Sequence, residues 1–217
     1  MNYRFKQDVN IPVENITLEG ELIIPAESNA IVVFSHGSGS SRFSPRNKMV
    51  AEFLHRHNIG TLLFDLLTAV EDRIYQNRFN IELLTERLVA STKWLINFLP
   101  AKDCSIGYFG ASTGAASALK AASRIPDVRA IVCRGGRPDL AINEIHQVKS
   151  PVLLIVGSKD KDVLALNEKA YWEIGAPKKI TVIEGATHLF EEPGAMEEVC
   201  IAAGKWFDLY LQSIIRK

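Results

Sequence analysis

The stretch Ser105-Ile106-Gly107-Tyr108-Phe109-Gly110-Ala111-Ser112-Thr113-Gly114-Ala115-Ala116 decides how the rest of the chain is read. Residues 105–109 form an apolar run of strand length, and residues 115–122 are small helix formers. Between them lies G-x-S-x-G. Set between a strand and a helix, this pattern makes a sharp turn that lifts Ser112 to the tip of a sheet with its hydroxyl exposed. The flanking glycines have a steric reason, because a side chain at Gly110 or Gly114 would strike neighbouring backbone. Alone the pattern carries little weight, since Gly, Ser and Ala are common. It gains weight only if a base, an acid and an anion-stabilising loop stand at compatible places.

Towards the N-terminus, residues 30–35 are a continuous apolar strand of the kind buried on both faces. It ends at His36-Gly37-Ser38-Gly39-Ser40-Ser41. Before it, residues 9–13 and 16–24 read as two strands of a hairpin, broken at Asn15 and closed by Pro25. After it, residues 45–57 read as a helix with Ser44 as cap, proline at its first position, and Met49, Val50, Phe53 and Leu54 on its buried side. His55 and His57, at its end, are expected to be solvated. A strand over 61–65 and a polar loop over 68–78 follow. Ile81, Leu84, Leu88, Leu95 and Leu99 then recur on one face of a long helix ended by Pro100.

Beyond the opening stretch come a strand over 128–133, the loop Arg134-Gly135-Gly136-Arg137-Pro138-Asp139, and a short helix over 140–146. Residues 151–157 are a strand, 163–174 a helix and 179–183 a strand. The closing helix carries Met196, Val199, Ala203, Trp206, Tyr210 and Ile214 on one face. Two strands without helices, followed by strands alternating with helices, specify an α/β fold. The expectation is one domain over residues 1–217, with a mostly parallel central sheet, N-terminal antiparallel strands and helices on both faces. In such sheets ligands bind beyond the carboxyl ends of the strands. Those ends hold residues 35–42, Asp65, Ser112, residues 134–139, Asp160 and His188.

A serine hydroxyl is a poor nucleophile at neutral pH and needs a base, for which imidazole has a suitable pKa. His188 follows the last strand in Glu184-Gly185-Ala186-Thr187-His188-Leu189-Phe190, on a loop that can reach a neighbouring strand tip. His36, at the glycine-rich strand end, reads as architectural. The base needs an acceptor that fixes its tautomer. Asp160 in Gly157-Ser158-Lys159-Asp160-Lys161-Asp162 is the leading candidate, Asp162 the close competitor and Asp65 a distant third. A developing oxyanion wants two backbone N–H donors. Thr113, at the start of the helix, is one. Ser38 is the other, with Gly39 as its alternative. Arg42, Arg134 and Arg137 lie on loops at the active edge. Of these, Arg42 and Arg137 are the candidates to hold a carboxylate or phosphate of the substrate.

Composition sets the bounds. Of 217 residues, 25 are Lys or Arg and 25 are Asp or Glu, and no basic cluster stands out, which argues against nucleic acid or an anionic membrane surface as partner. No apolar run approaches the about 20 residues of a membrane span, and the first residues lack the apolar core of a secretion signal. A cytoplasmic protein acting on a small molecule is expected, with a homodimer as a compatible assembly. Cys104, Cys133 and Cys200 lack metal-site spacing and read as free thiols. No metal or cofactor is expected.

The segment 34–47, from Phe34-Ser35-His36-Gly37-Ser38-Gly39 to Ser44-Pro45-Arg46-Asn47, and the segment Tyr108-Phe109-Gly110-Ala111-Ser112-Thr113-Gly114 resemble small members of the dienelactone hydrolase-like group of α/β-hydrolases. The order Ser112, Asp160, His188 is that superfamily's nucleophile, acid, base order. The resemblance, running from about residue 13 to the last helix, implies a serine hydrolase with those three residues as its triad. It implies cleavage of a small carboxylic ester or lactone through an acyl-enzyme. A thioesterase, an amidase or a non-catalytic hydrolase-fold binding protein is the alternative. True dienelactone hydrolase has a cysteine where this chain has Ser112, so the resemblance carries the fold and not that substrate. Some relatives are fused to phosphoribosyltransferase domains, and no such domain is read in these residues. The stretch between Cys133 and Pro151 is too short for a lid, so a shallow, open site is expected.

Overall fold

The computed structural model describes residues 1–212. Among these, eight strands form one sheet: β1 (Tyr3–Val13), β2 (Ile16–Pro25), β3 (Ala30–Ser35), β4 (Gly60–Phe64), β5 (Ser105–Ala111), β6 (Val128–Arg134), β7 (Val152–Gly157) and β8 (Lys178–Ile183). Their order is β1-β2-β4-β3-β5-β6-β7-β8. β1 pairs antiparallel with β2, and β2 with β4; every later pairing is parallel. β1 is longer than its apolar half implies. Only Val9, Ile11 and Val13 of it are buried, and its polar first half is held by backbone pairing to β2.

The α-helices are α1 (Pro45–Arg56), α2 (Ile81–Asn97), α3 (Thr113–Arg124), α4 (Lys161–Glu173) and α5 (Ala195–Phe207). They cover both faces because the central strands β3, β4 and β7 are buried along their whole length. One core packs Leu84, Leu88 and Leu95 of α2, the alanines of α3 and Ala170 of α4 against the sheet. The other packs Val50 and Leu54 of α1 with Val199, Ala203 and Phe207 of α5. Ser44 caps α1 as its sequence indicates, accepting from the Asn47 amide at 3.4 Å, with Pro45 first in the helix.

Four expectations are corrected. The segment expected as a helix over 140–146 folds as two short 3-10 turns, Pro138–Ala141 and Ile145–Gln147, because burying Ile145 and Val148 takes precedence over helical continuity. Leu99 is 78% exposed in a 3-10 turn beyond the end of α2, so it is not part of that helix's buried stripe. His55 is not solvated. It is buried against β4, with its Nε2 2.8 Å from the Thr61 hydroxyl, and burial, with Lys6 and Arg56 adding to it, lowers its pKa to about 4. The loop over 68–78 contains two 3-10 turns, Glu71–Arg73 and Tyr75–Phe79, stitched by the Arg78–Asp72 and Arg87–Glu71 ion pairs. α5 runs on into a single π-helical turn, Asp208–Gln212. Ile214 lies outside the described residues.

The chain runs from β3 to β4 on one side and later returns to β5 on the other. The sheet therefore changes winding direction at β3, and the carboxyl ends of β3 and β5 open a crevice there. No lid element is inserted between β6 and β7, where only the two 3-10 turns stand.

Candidate active site

Ser112 follows β5 directly and precedes α3. Its backbone sits at φ 52° and ψ −121°, left-handed for a non-glycine residue and costing about 1–3 kcal/mol. Three hydrogen bonds impose it: the Ser112 amide donates to Arg134 O at 3.1 Å, and the amides of Ala115 and Arg137 donate to Ser112 O at 3.0 and 3.1 Å. The result is a half-exposed hydroxyl at the strand tip that makes no hydrogen bond among the described residues. Gly110 and Gly114 are both required. A Cβ at Gly110 would lie 2.5 Å from Ala115 Cα, and one at Gly114 would lie 2.1 Å from Ser35 O.

Two neighbouring strand ends bring the imidazole and the carboxylate together. The loop after β7 and the loop after β8 are cross-tied: Ser158 N donates to Ile183 O at 2.9 Å, and Lys159 N to Ala186 O at 3.0 Å. Gly157 lies so close to Ala186 that a Cβ there would meet its carbonyl at 2.3 Å. This stitching sets Asp160 Oδ2 2.6 Å from His188 Nδ1. A carboxylate only accepts, so His188 Nδ1 carries the proton of this bond. Asp160 stands at the N-cap position of α4, yet its side chain makes no capping bond and goes to His188 instead. Asp162 lies exposed in the first turn of α4 and takes no part in the pair. Asp65 is engaged elsewhere, accepting from the Arg42 amide at 2.7 Å and from the Arg42 guanidinium. His188 also rests against Gly135, whose φ is +51° and whose amide is tied to Ile155 O, so the ring is bounded by the end of β6.

The His36 ring is fully used by backbone. Its Nδ1 lies 3.0 Å from Gly37 O and its Nε2 accepts from the Leu66 amide at 3.1 Å. Burial lowers its pKa, in keeping with a neutral ring that braces the loop after β3. On that loop the Ser38 amide donates to the Thr113 hydroxyl at 2.9 Å. The Thr113 amide, first in α3, has no intrahelical acceptor, as at every helix start. The two N–H groups expected to serve an oxyanion are thus brought together, one of them already bonded to a side chain that its sequence gave no reason to single out.

The three arginines at this edge differ. Arg42 is bound by Asp65 and Glu19, which outweigh its burial and hold its pKa above the ordinary value. It lines a cavity of about 270 Å³ beside the β3 loop, whose walls also carry Glu19, Asp65 and Asp72. That cavity is acidic, and neither Ser112 nor His188 lines it. Arg137 is bidentate to Asp139 at 2.9 and 2.8 Å, which raises its pKa. Among the described residues, Arg134 pairs with no carboxylate. It is 7% exposed, its guanidinium carbon stands 5.7 Å from the Phe190 ring, and its Nε and Nη1 are buried without a partner among the described residues. Burial, with the like charge of Arg46, lowers its pKa to about 10. Arg46, which the sequence did not single out, reaches Glu191 on the His188 loop at 3.3 Å and also buries its Nε unpaired.

Cys104, Cys133 and Cys200 are free thiols, and among the described residues no group of histidines, cysteines and carboxylates could hold a metal ion. No described helix is long and apolar enough to cross a membrane.

Residues 47–212 match the Dienelactone hydrolase family. The chain belongs to this family. That family lies within the α/β-hydrolase superfamily, as a strand-tip serine turn in a mostly parallel sheet leads one to expect. A solved dienelactone hydrolase from Anabaena variabilis is 46% identical, with a TM-score of 0.94 over 97% of this chain and 100% of that one. The esterase Pf2001 of Pyrococcus furiosus has a TM-score of 0.78 at 23% identity, over 95% of this chain and 93% of that one, a likeness of fold. Proteins of two Mycobacterium tuberculosis strains, named for a phosphoribosyl transferase activity, are 49% identical over 203 residues, or 93% of this chain and 46% of theirs. The family member described here therefore spans about half the length of these relatives.

Proposed function

We propose that the protein is a serine hydrolase that cleaves a small carboxylic ester or lactone through an acyl-enzyme intermediate. The observation that carries this reading is the 2.6 Å bond from His188 to Asp160 at the sheet edge that presents Ser112. Ser112 Oγ bonds to the carbonyl carbon while His188 Nε2 takes its proton, and the carbonyl π pair moves onto oxygen. Collapse of this intermediate breaks the bond to the leaving alkoxide, which takes the proton from His188. Water then repeats the sequence and releases the acid. Asp160 holds the tautomer and stabilises the transient imidazolium. The site has no lid to enclose a long acyl chain, which favours a small substrate. The same groups would serve a thioester or an amide.

A fluorophosphonate probe tests the reading. One adduct, on Ser112, is the expected mass-spectrometric result. Folded protein that takes no adduct would favour a hydrolase-fold binding protein instead.

Of the three arginines at the active edge, Arg134 is the one without a carboxylate partner among the described residues, which makes it the candidate to recognise an anionic group on the substrate. A charged hydrogen bond contributes about 1.5–3 kcal/mol. Arg134→Met is therefore expected to lower kcat/KM about 10- to 100-fold for an anionic ester. A neutral ester of equal size should be much less affected. An equal loss on both esters would reject the assignment.

A further inference from the structure

The Ser38–Thr113 contact raises a chemical problem for the oxyanion hole. The Ser38 N–H that should receive the oxyanion already donates to Thr113 Oγ1 at 2.9 Å. An oxyanion arriving at the same N–H would face a second oxygen within the same hydrogen-bonding shell. If that oxygen turned only lone pairs towards it, the two would repel. A hydroxyl has another option, since it carries one proton as well as two acceptor sites. Among the described residues the Thr113 hydroxyl gives its proton to no acceptor, while the Ser38 amide fixes its oxygen. Thr113 is 4% exposed, so little bulk water competes for that proton. It follows Ser112 directly, and its own amide is the other donor of the hole.

We propose that the Thr113 hydroxyl is itself an oxyanion donor, held in place by the Ser38 amide and rotated towards the substrate oxygen as negative charge develops there. The inference rests on the serine-hydrolase reading above. It makes the hole a three-donor site: the Thr113 amide, the Thr113 hydroxyl and the shared Ser38 amide. Thr113 gains and loses no proton in the cycle. It donates one hydrogen bond that strengthens as the carbonyl π pair becomes an oxyanion, so its effect falls on kcat more than on KM.

The test compares Thr113→Val, Thr113→Ser and Thr113→Ala on a p-nitrophenyl short-chain ester. Valine keeps the shape and removes the hydroxyl. Removing one such donor typically costs about 10²-fold or more in kcat. A loss of that order is expected for valine and alanine, with KM changed by less than about threefold and serine close to wild type. A trifluoromethyl ketone, which forms a tetrahedral adduct at Ser112, should lose affinity in parallel with kcat. The opposite result is equally informative. If Thr113→Val and Thr113→Ala match or exceed wild-type kcat, the hydroxyl is a resting-state occupant that the substrate displaces, and the proposal is overturned. Alanine keeps the test open should valine disturb folding. Failure of the underlying reading is separable: it would appear as turnover that survives Ser112→Ala.

Discussion

Replacing Ser112 with alanine is expected to lower kcat on a p-nitrophenyl short-chain ester by about 10⁴- to 10⁶-fold while the protein stays folded. The size of the loss follows from what remains. Alanine leaves the hole at Ser38 and Thr113 and the Asp160–His188 pair intact, so water activated by His188 could still attack a bound ester, slowly. What disappears is the proposed covalent route, for which Ser112 is the nucleophile at the strand tip. The fold should survive because the strain at this residue belongs to the backbone. At φ 52°, serine and alanine carry similar penalties, and the three hydrogen bonds that impose the turn all use main-chain atoms. Ser112→Gly separates the two effects. It should be equally inactive, and its Tm should be no lower than that of Ser112→Ala, since glycine occupies this region of φ freely. Turnover close to wild type in Ser112→Ala would reject Ser112 as the nucleophile.

The largest effect on stability is expected at Gly114. A methyl group there would lie 2.1 Å from Ser35 O and 2.5 Å from His36 O, both backbone atoms at the end of β3. Neither can move alone, because β3 is paired with β4 on one side and β5 on the other. Relief would require α3 to lift from the sheet, which would uncover the alanines it buries there. Gly114→Ala should therefore destabilise the protein by about 3 kcal/mol or more, above the ordinary range of overpacking. The denaturation midpoint reads this directly. Gly175→Ala is the control, since a Cβ there meets nothing within 4 Å, and its midpoint should stay near that of wild type. Equal midpoints for the two variants would mean that the elbow has slack the geometry does not show.

Much of the site was legible in the chain. The G-x-S-x-G turn, the glycine-rich end of β3 and a histidine after the last strand each follow from short-range rules: apolar runs make strands, glycines mark backbone crowding, and strand ends collect ligand-binding groups. Charge pairing was not legible. Arg42 and Arg137 read in the chain as candidates to hold a substrate anion, and in the structure both pair with carboxylates. Asp139 lies two residues from its arginine, whereas Glu19 reaches Arg42 from β2 and Asp65 from just beyond β4. His55 looked like a solvated helix end because its burial depends on Thr61, which helix periodicity does not report.

The amino-acid order by itself determined the α/β alternation and the nature of the Ser112 turn, because each depends on residues near in the chain, and it set a pair of aspartates and then His188 after later strands. The tertiary structure decided which carboxylate meets the imidazole. Asp160 and Asp162 differ by two residues in one loop, and only the cross-ties between the ends of β7 and β8 point Asp160, rather than Asp162, at His188. It also decided that the Ser38 amide meets the Thr113 hydroxyl. These two residues are 75 positions apart, and no local rule couples them. They become neighbours because β3 and β5 lie side by side at the point where the sheet changes its winding.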